Sequence, residues 1–337
     1  MKLLITGGLG FIGSNFIRYW LTHHPEDKIV NLDKVTYAAN FKSTIDIESN
    51  INYSFVRGDI VDNQLVDKIF SQGIDTVVHF AAESHVDRSI DDPSLFVKTN
   101  VLGTYTLLSL AAKYGVKRFH HISTDEVFGS IALDSKSQFN ENTHYDPSSP
   151  YSASKAASDH LVRSFFKTFG LPVTISNCSN NYGPYQHPEK MIPRSITNLL
   201  SGNKIKVYGQ GLNFRDWLHV EDHCRAIELI LLKGKIGETY CVGGLKKGTS
   251  NMELVKLILK LMNKDENSLE FVADRPAHDN YAVNWDKINK ELGWQPQYDL
   301  ESGLKQTIDW YTQNESWWQE TKKEAEEFYL KLNQVKK

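Results

Sequence analysis

The sequence predicts an α/β fold with a doubly wound parallel sheet and a second, smaller mixed α/β lobe. Apolar runs of strand length alternate with amphipathic segments over the first 180 residues, the pattern of a parallel sheet covered by helices on both faces. A glycine-rich turn follows the first apolar run. After residue 180 the chain becomes aromatic, polar and proline-rich, which indicates the smaller lobe. We therefore expect domains at 1–180 and 181–337, and leave open a return of the chain between them near 210–245.

The composition excludes several classes of protein. The 337 residues are 40% hydrophobic and 23% charged with a formal charge of −3, so nucleic acid is not an expected partner. The apolar runs are too short for a membrane span, and the first residues lead directly into the glycine turn instead of a signal peptide. The three cysteines (Cys178, Cys224 and Cys241) lack zinc spacing, which predicts buried thiols in the cytoplasm and no metal site.

The first strand, Lys2–Thr6, opens a dinucleotide-binding fingerprint of the Rossmann type. It leads into Gly7-Gly8-Leu9-Gly10-Phe11-Ile12-Gly13, and a helix is predicted over Ser14–Leu21. In this spacing Gly7 permits the tight turn, Gly10 lets the backbone approach a pyrophosphate, and Gly13 lets helix and strand pack closely. The phosphates are expected at the helix N-terminus, where free N–H groups favour anions.

The second strand, Lys28–Leu32, ends on Asp33, about 20 residues beyond the glycine turn. A carboxylate there accepts the ribose hydroxyls and repels a 2′-phosphate, so NAD is favoured over NADP. Lys34 follows directly, and its positive charge slightly opposes the inference that NAD is favoured over NADP. Three further strands are predicted at Tyr53–Val56, Asp75–Ala82 and Arg118–Ser123, and a sixth at Val173–Cys178.

Polar groups able to carry chemistry lie between the fifth and sixth strands. Thr124, Asp125 and Glu126 follow the fifth strand, and a helix is predicted from Tyr151 to about Gly170. Tyr151 and Lys155 are four residues apart and so share a helix face. The ammonium is expected to lower the pKa of the phenol and make it a usable base. The acidic pair supplies a second proton-transfer system.

Other segments carry weaker signals. His120 and His121 face opposite sides of a strand, where packing is a better interpretation than metal binding. In the second lobe, short elements are predicted at Lys204–Tyr208, Val220–Leu231, Glu238–Val242 and Met252–Met262. Arg215 is its candidate diphosphate ligand, with a local ion pair to Asp216 as the alternative. The segment from Trp317 to Lys337 is expected to be a surface helix without chemistry.

Together these segments resemble the extended short-chain dehydrogenase/reductases, through the glycine turn, Asp33, Thr124 and Tyr151-x-x-x-Lys155. The resemblance narrows to the nucleotide-sugar 4,6-dehydratases and runs from Met1 to about Trp310. The segments that narrow it are Ala82–Ser89, Ser123–Val127, Asn177–Tyr185 and Arg215-Asp216-Trp217.

The resemblance implies NAD as cofactor and a role for each polar group. Tyr151 would take the O4 proton of a nucleoside-diphosphate hexose while C4 gives its hydride to NAD, with Thr124 bonded to O4 and Lys155 bound to the nicotinamide ribose. Glu126 would remove the C5 proton, and a protonated Asp125 would protonate the departing O6 hydroxyl. Hydride return to C6 would complete a 4-keto-6-deoxy sugar.

The glycine turn and the resemblance also give two sets of binding residues. Cofactor positions are Gly7, Gly10, Phe11, Ile12, Gly13, Asp33, Lys34, Asp59, Ile60, Ala81, Ala82, Thr99, Tyr151, Lys155 and Asn181. Substrate positions are Ser84, Thr124, Asn180, Lys190, Met191, Val207, Tyr208, Arg215, Asn251, Arg275 and His278.

Three departures from the family pattern fall in the second lobe. Asn280 replaces an Arg pair, Gly244–Asn251 is one residue longer, and Lys206 stands where Pro is common. Because of these departures, dTDP-glucose and UDP-N-acetylglucosamine are expected as substrates almost equally. A 4-epimerase or decarboxylase, and a non-catalytic NAD-binding module, are the alternatives, and the acidic pair argues against both. Ser94–Tyr114 and Tyr151–Gly170 are expected to pair across a two-fold axis as the four-helix bundle of a homodimer.

Overall fold

The computed structural model describes residues 1–135, 137–273 and 279–335, with all their side chains except those of 328 and 330–335. Its strands are β1 (Lys2–Thr6), β2 (Lys28–Asp33), β3 (Tyr53–Arg57), β4 (Thr76–His79), β5 (Arg118–Thr124), β6 (Val173–Cys178), β7 (Asn180–Tyr182), β8 (Ile205–Tyr208), β9 (Phe214–Arg215), β10 (Trp217–His219), β11 (Thr239–Val242), β12 (Thr249–Ser250) and β13 (Leu269–Val272). Seven parallel strands form the central sheet, in the order β11-β6-β5-β4-β1-β2-β3.

Helices cover both faces of this sheet. The helices of the whole structure are α1 (Phe11–His23), α2 (Asn63–Phe70), α3 (Val86–Asp91), α4 (Pro93–Phe96), α5 (Thr104–Tyr114), α6 (Pro150–Phe169), α7 (Met191–Leu200), α8 (Val220–Lys233), α9 (Asn251–Leu261), α10 (Asp286–Leu292), α11 (Leu300–Gln313) and α12 (Glu315–Val335), and five of them cover the sheet. Apolar side chains of α2, α5 and α6 bury one face, and those of α1 and α8 bury the other. The strand runs lack alternation because both faces are covered.

The chain returns to the central sheet after entering the second lobe. α8 packs against α1, and β11 pairs in parallel with β6 as the edge strand. The strand expected over Glu238–Val242 thus belongs to the main sheet and not to the second lobe. A single cut at residue 180 would separate these elements from the sheet they complete.

The second lobe is built mainly from α7, α9, α11 and α12. β8 and β13 form a separate parallel pair beside them. Tyr311, Trp317 and Trp318 are buried in the lobe's core. The indole of Trp317 also donates to Ser43 Oγ over 3.2 Å, and Lys42 Nζ donates to the carbonyl of Ser316 over 2.8 Å. The last helix therefore connects the second lobe to a loop of the first domain.

The helix predicted over Ser94–Tyr114 is interrupted by a π-helical segment at Val97–Gly103. Pro93–Tyr114 as a whole is long and apolar enough to cross a membrane, and half of its apolar window is buried. This one helix is weak evidence for a membrane span, because the core helix of a globular protein passes the same test. Its other half presents apolar side chains at the surface, among them Leu95, Val97 and Leu102.

Candidate active site

The glycine turn between β1 and α1 forms the floor of a cleft. Gly7 has φ +74°, and a Cβ on it would lie 2.7 Å from the backbone nitrogen of Ala81. A Cβ on Gly13 would lie 2.4 Å from the carbonyl oxygen of Gly7. The N-cap of α1 is Gly10, which has no side chain to cap the helix. The first N–H groups of α1 therefore face the cleft with a backbone cradle around them, which suits a pyrophosphate.

Asp33 lies at the end of β2 and organises this turn. Its carboxylate accepts from the backbone nitrogen of Leu9 over 2.9 Å and from that of Val35 over 2.8 Å. Burial raises its pKa, and these two backbone bonds oppose the rise. Lys34 pairs with Asp59 over 2.7 Å, so the cation that opposed the NAD inference is neutralised by a neighbouring carboxylate. The electrostatics of this end of the cleft suit a ribose with free hydroxyls.

All fifteen predicted cofactor residues line one cavity of about 300 Å³ at the carboxyl ends of the strands. This is the edge of a doubly wound sheet at which ligands bind. The cavity is lined by Gly7, Gly10, Phe11, Ile12, Gly13, Asp33, Lys34, Asp59, Ile60, Ala81, Ala82, Thr99, Tyr151, Lys155 and Asn181, and also by Thr124 and Glu126. The residues present fit a dinucleotide.

The end of β5 delivers the acidic pair. Thr124 caps a 3-10 turn over Asp125–Phe128 by accepting from the backbone nitrogen of Glu126 over 3.2 Å. The tight turn directs the two carboxylates differently, because Glu126 lines the cavities whereas Asp125 is 1% exposed. Burial raises the pKa of Asp125 well above its usual range, and the charges of Glu126 and Asp216 raise it further. Asp125 therefore has the environment of a protonated acid.

Helix α6 begins beside this pair. Ser149 caps it through a reciprocal bond with Ser152, and Pro150 occupies the first turn, which fixes where Tyr151 emerges. Lys155 follows one turn later, and its buried Nζ donates to the carbonyl of Ile122 over 2.7 Å. Burial lowers the pKa of Lys155 to about 8.

The expected lowering of the pKa of Tyr151 is not found in this structure. Burial raises its pKa well above the ordinary value, and the negative charge of Glu126 adds to the rise. A hydrogen bond with Thr124 opposes it. The ammonium four residues away was expected to lower the pKa of Tyr151, but the desolvation of a fully buried phenol raises it.

A second cavity, of about 210 Å³, adjoins the first and shares several lining residues with it. Both are lined by Ser84, Glu126, Asn180, Asn181, Gln186, Glu189 and Lys190. The second is also lined by the predicted substrate residues Met191, Val207, Tyr208, Arg215 and Asn251. Arg275 and His278 lie outside the described residues. Glu126 thus lies where the two cavities meet.

Arg215 and Asp216 have separate environments. The guanidinium of Arg215 lies 4.7 Å from the ring centroid of Tyr281, which also lines the second cavity. The carboxylate of Asp216 accepts from the backbone nitrogens of Gly244 and Leu245, over 3.1 and 2.8 Å. Burial raises the pKa of Asp216 to about 7. Arg215 therefore lines the second cavity, where its guanidinium donates to the carbonyl oxygens of Phe214 and Asp279, whereas Asp216 holds the loop that follows β11.

Helix α12 contributes to the second cavity, which was not predicted from the sequence. Tyr329 lines the cavity, and its hydroxyl lies 3.2 Å from His85 Nε2. Arg194 lies against the ring of Tyr329, with its guanidinium carbon 3.9 Å from the ring centroid, and donates to both carboxylate oxygens of Glu326 over 3.0 Å. The C-terminal helix expected to carry no chemistry therefore forms one wall of the cavity.

Glu189 is a second residue that the sequence did not single out. It is 3% exposed and lines both cavities. Its carboxylate lies 3.6 Å from the guanidinium of Arg88, whose side chain covers the ring of Tyr37. No spacing pattern relates these residues in the sequence, so only the fold brings them together at the junction of the cavities.

Asn280 does not face either cavity. Its amide accepts from the backbone nitrogen of Phe214 over 3.0 Å and donates to the carbonyl of Ile131 over 3.1 Å. The side chain is buried and joins β9 to the loop that carries Ile131. The proposal that Asn280 marks a changed substrate specificity therefore has no geometric support, because its polar atoms are already used by the backbone.

Comparisons with known proteins agree with this geometry. The family model described as GDP-mannose 4,6 dehydratase matches residues 4–307. The dTDP-glucose 4,6-dehydratase of Mycobacterium tuberculosis H37Rv is 48% identical over 336 residues, which cover 99% of this chain and all of that protein. The dTDP-glucose 4,6-dehydratase of Haemophilus influenzae is 49% identical over 338 residues, covering 94% of this chain and 99% of the relative.

Solved structures give the same result. The dTDP-glucose 4,6-dehydratase of Streptomyces venezuelae, crystallised with NAD and a dTDP-type ligand, has a TM-score of 0.92 and 46% identity, covering 95% of this chain and all of that one. A UDP-glucose 4-epimerase of Thermotoga maritima has a TM-score of 0.86 but only 28% identity, covering 93% of this chain and 99% of that one. The chain belongs to the nucleotide-sugar 4,6-dehydratase family of extended short-chain dehydrogenase/reductases.

Proposed function

We propose that this protein is an NAD-dependent 4,6-dehydratase that converts dTDP-glucose to its 4-keto-6-deoxy product. One observation carries the proposal. A dinucleotide cavity and a second cavity meet at Glu126, and the groups needed for two separate proton transfers surround that junction. An enzyme that only oxidised C4 would need the phenol and the ammonium but not the acidic pair.

NAD fits the first cavity. Gly7, Gly10 and Gly13 leave room for a pyrophosphate at the start of α1, and Asp33 closes the adenosine end. Lys155 and Tyr151 line the other end. When bound there, NAD supplies a hydride acceptor for C4 of the sugar and a hydride donor for C6.

The chain's own residues handle the protons. Tyr151 takes the O4 proton, with Thr124 as a hydrogen-bonding partner of the phenol. Because burial raises the pKa of this phenol in the unliganded protein, the step relies on the positive charges that Lys155 and bound NAD would place beside it. The 4-ketone acidifies C5–H, and Glu126 at the junction of the cavities removes that proton and gives it back to C5 when the hydride is added at C6. Asp125, whose pKa burial raises, holds the proton that O6 needs to leave as water. Two neighbouring carboxylates thereby hold different protonation states.

The nucleotide occupies the second cavity. Arg215 is the diphosphate ligand, supported by its position beside Tyr281, and Val207, Tyr208 and Asn251 line the region for the nucleoside. The relatives that match this chain at 46–49% identity bear the name dTDP-glucose 4,6-dehydratase. They favour dTDP-glucose over UDP-N-acetylglucosamine, which finds no support among them.

A 4-epimerase would have the same fold but would not need the full set of catalytic groups. The Thermotoga maritima epimerase is similar in structure, so the fold alone does not separate the two reactions. The buried Asp125 beside Glu126 does, because epimerisation at C4 involves no loss of water. A non-catalytic module would have no use for the same pair.

The protein acts as a homodimer with a four-helix interface. Leu102 and Tyr105 on one helix are each 49% exposed, and Phe169 at the end of α6 is 64% exposed. α5 and α6 pack side by side, so these apolar side chains belong to adjacent helices. A second copy that presents the same two helices would cover them. The three buried free thiols suit a cytoplasmic location.

The test is a comparison of substrates. The purified protein is incubated separately with dTDP-glucose, UDP-glucose and UDP-N-acetylglucosamine, and loss of water is followed by mass spectrometry. We expect a product 18 mass units lighter, as loss of one water requires, from dTDP-glucose. Selective turnover of a UDP sugar would overturn the substrate assignment but keep the reaction. A 4-epimer of unchanged mass would overturn the reaction itself.

A further inference from the structure

A buried polar network lies behind Lys155, on the side away from the cavity. His121 Nε2 is 3.3 Å from Lys155 Nζ and 3.3 Å from an oxygen of Asp159. His121 and Asp159 are 0% exposed, and Lys155 is 4% exposed. The imidazole therefore lies between a buried cation and a buried carboxylate. The catalytic steps described above use only Lys155 of these three.

The carboxylate of Asp159 is held firmly in place. Its Oδ2 accepts from Ser123 Oγ over 2.8 Å, from Tyr145 Oη over 2.7 Å and from Asn177 Nδ2 over 3.3 Å. Among the described residues its Oδ1 has no hydrogen-bond partner, and His121 Nε2 lies 3.3 Å from it. Three donors fix the orientation of the group, and the oxygen that they leave points at the imidazole. This arrangement keeps the carboxylate charged, and the pKa of Asp159 is lowered despite burial.

We propose that Asp159, acting through His121, is a positioning residue that keeps the Lys155 ammonium charged and fixed beneath the cofactor and Tyr151. A buried ammonium is costly without a compensating charge, and the direct acceptor of Lys155 is a neutral carbonyl. Asp159 lies one helical turn after Lys155, so its charge is the compensation. The neutral imidazole of His121 lies between the two charged groups. It therefore transmits the electrostatic effect of Asp159 and limits movement of the Lys155 side chain.

Other titratable groups near Lys155 cannot take this role. His79 on β4 and Cys178 on β6 face it, but burial lowers the pKa of His79 well below its usual value and raises that of the Cys178 thiol to about 12, so both are neutral. Burial also lowers the pKa of His121 to about 4. Tyr145 Oη donates to Asp159, and Arg163 donates to that hydroxyl over 2.8 Å. Asp159 is the strongest group that opposes the loss of the Lys155 proton.

The test uses the Asp159→Asn variant and a direct measurement on Lys155. Lysines carrying 13C at Cε are titrated by NMR, and the Lys155 resonance is identified by its absence in Lys155→Met. We expect the midpoint for Lys155 to fall by about one pH unit or more, because a nearby opposite charge shifts a pKa by about 1–3 units. An unchanged midpoint would overturn the proposal, whatever the substrate of the enzyme is.

A kinetic readout, which rests on the proposed function, sharpens the result. Formation of NADH on mixing with substrate is followed against pH in Glu126→Gln protein, with and without Asp159→Asn. The alkaline limb should move to lower pH in the double variant, because Lys155 loses its proton earlier. A uniform loss of rate at all pH values would mean that Asp159 serves only the structure.

A matched pair of variants covers the case in which Asp159→Asn does not fold. His121→Gln removes the imidazole between the two charges. His120→Gln removes the neighbouring imidazole on the opposite face of β5, which bonds to Thr174 and Ser176 instead. The Lys155 midpoint should move only in His121→Gln. Equal midpoints in the two variants would contradict the proposal.

Discussion

The catalytic groups of the first cavity, called the floor from here on, and the α12 wall of the second cavity are built in opposite ways. Thr124, the acidic pair, Tyr151 and Lys155 come from one stretch of about 30 residues, at the end of β5 and the start of α6. The second cavity takes its lining from elements between Ser84 and Tyr329. These catalytic groups are therefore fixed by local structure on a rigid sheet, whereas the second cavity depends on how distant segments pack.

This difference separates chemistry from recognition. In the proposed mechanism the groups of the floor contact the reacting atoms, so changes there should alter which bonds are made and broken. Changes in the wall should alter how tightly the nucleotide is held, because its groups support the cavity from outside. Four predictions test the separation, in order of decreasing expected effect on kcat/KM for dTDP-glucose.

Glu126→Gln should reduce dehydration by about 10²–10⁴-fold, the usual contribution of a positioned general base. C4 oxidation should survive, so NADH absorbance should rise on adding dTDP-glucose and persist. Stopped-flow absorbance and product mass measure the two steps separately. Full dehydration by this variant would remove Glu126 from the mechanism.

Glu326→Gln should raise KM for dTDP-glucose by roughly tenfold with little change in kcat, which corresponds to about 1.4 kcal/mol of binding. The variant frees Arg194 from its bidentate partner and loosens the contact with Tyr329. Steady-state kinetics measure both constants. Glu327→Gln, on the exposed side of α12, is the control and should behave as the unchanged protein. A fall in kcat alone would contradict the division between wall and floor.

Leu102→Glu should dissociate the dimer, because a carboxylate in an apolar interface is costly. Light scattering measures the mass, and steady-state kinetics should show a loss in kcat larger than the change in KM, because α6 belongs to both the interface and the floor. Ile51→Glu is the control, since Ile51 is 96% exposed and lies outside the two helices. A parent protein that is monomeric at micromolar concentration would refute the interface.

Asn280→Arg restores an arginine typical of the family and should leave the choice of nucleotide unchanged. It should instead lower the free energy of unfolding by about 1–3 kcal/mol, since a larger charged group replaces a buried amide that joins β9 to the loop that carries Ile131. Denaturant titration and the substrate comparison check the two parts. A change of the preferred substrate from a dTDP sugar to a UDP sugar, or the reverse, would show that Asn280 does determine specificity.

The same contrast explains what the sequence could predict. Six strands of the seven-stranded sheet were predicted because their apolar runs and the glycine turn are local signals. The element at β11 was predicted without its place in the sheet, and only a possible return of the chain near 210–245 was left open, because its partner β6 lies about 65 residues earlier. The cofactor residues follow from the fingerprint and the resemblance. Glu189 and Tyr329 carry no spacing signal, and the raised pKa of Tyr151 arises from burial that only the folded protein reveals.

The contact between Trp317 and Ser43 also has a consequence for biosynthesis. Ser43 lies 274 residues before Trp317, so its loop leaves the ribosome long before α12 does. Strands β1 to β6 can pair while the residues that follow them are still being translated. The wall of the second cavity cannot form until α12 has been synthesised. A chain that stops short of α12 would therefore hold its cofactor floor nearly complete and yet lack a finished place for the sugar nucleotide.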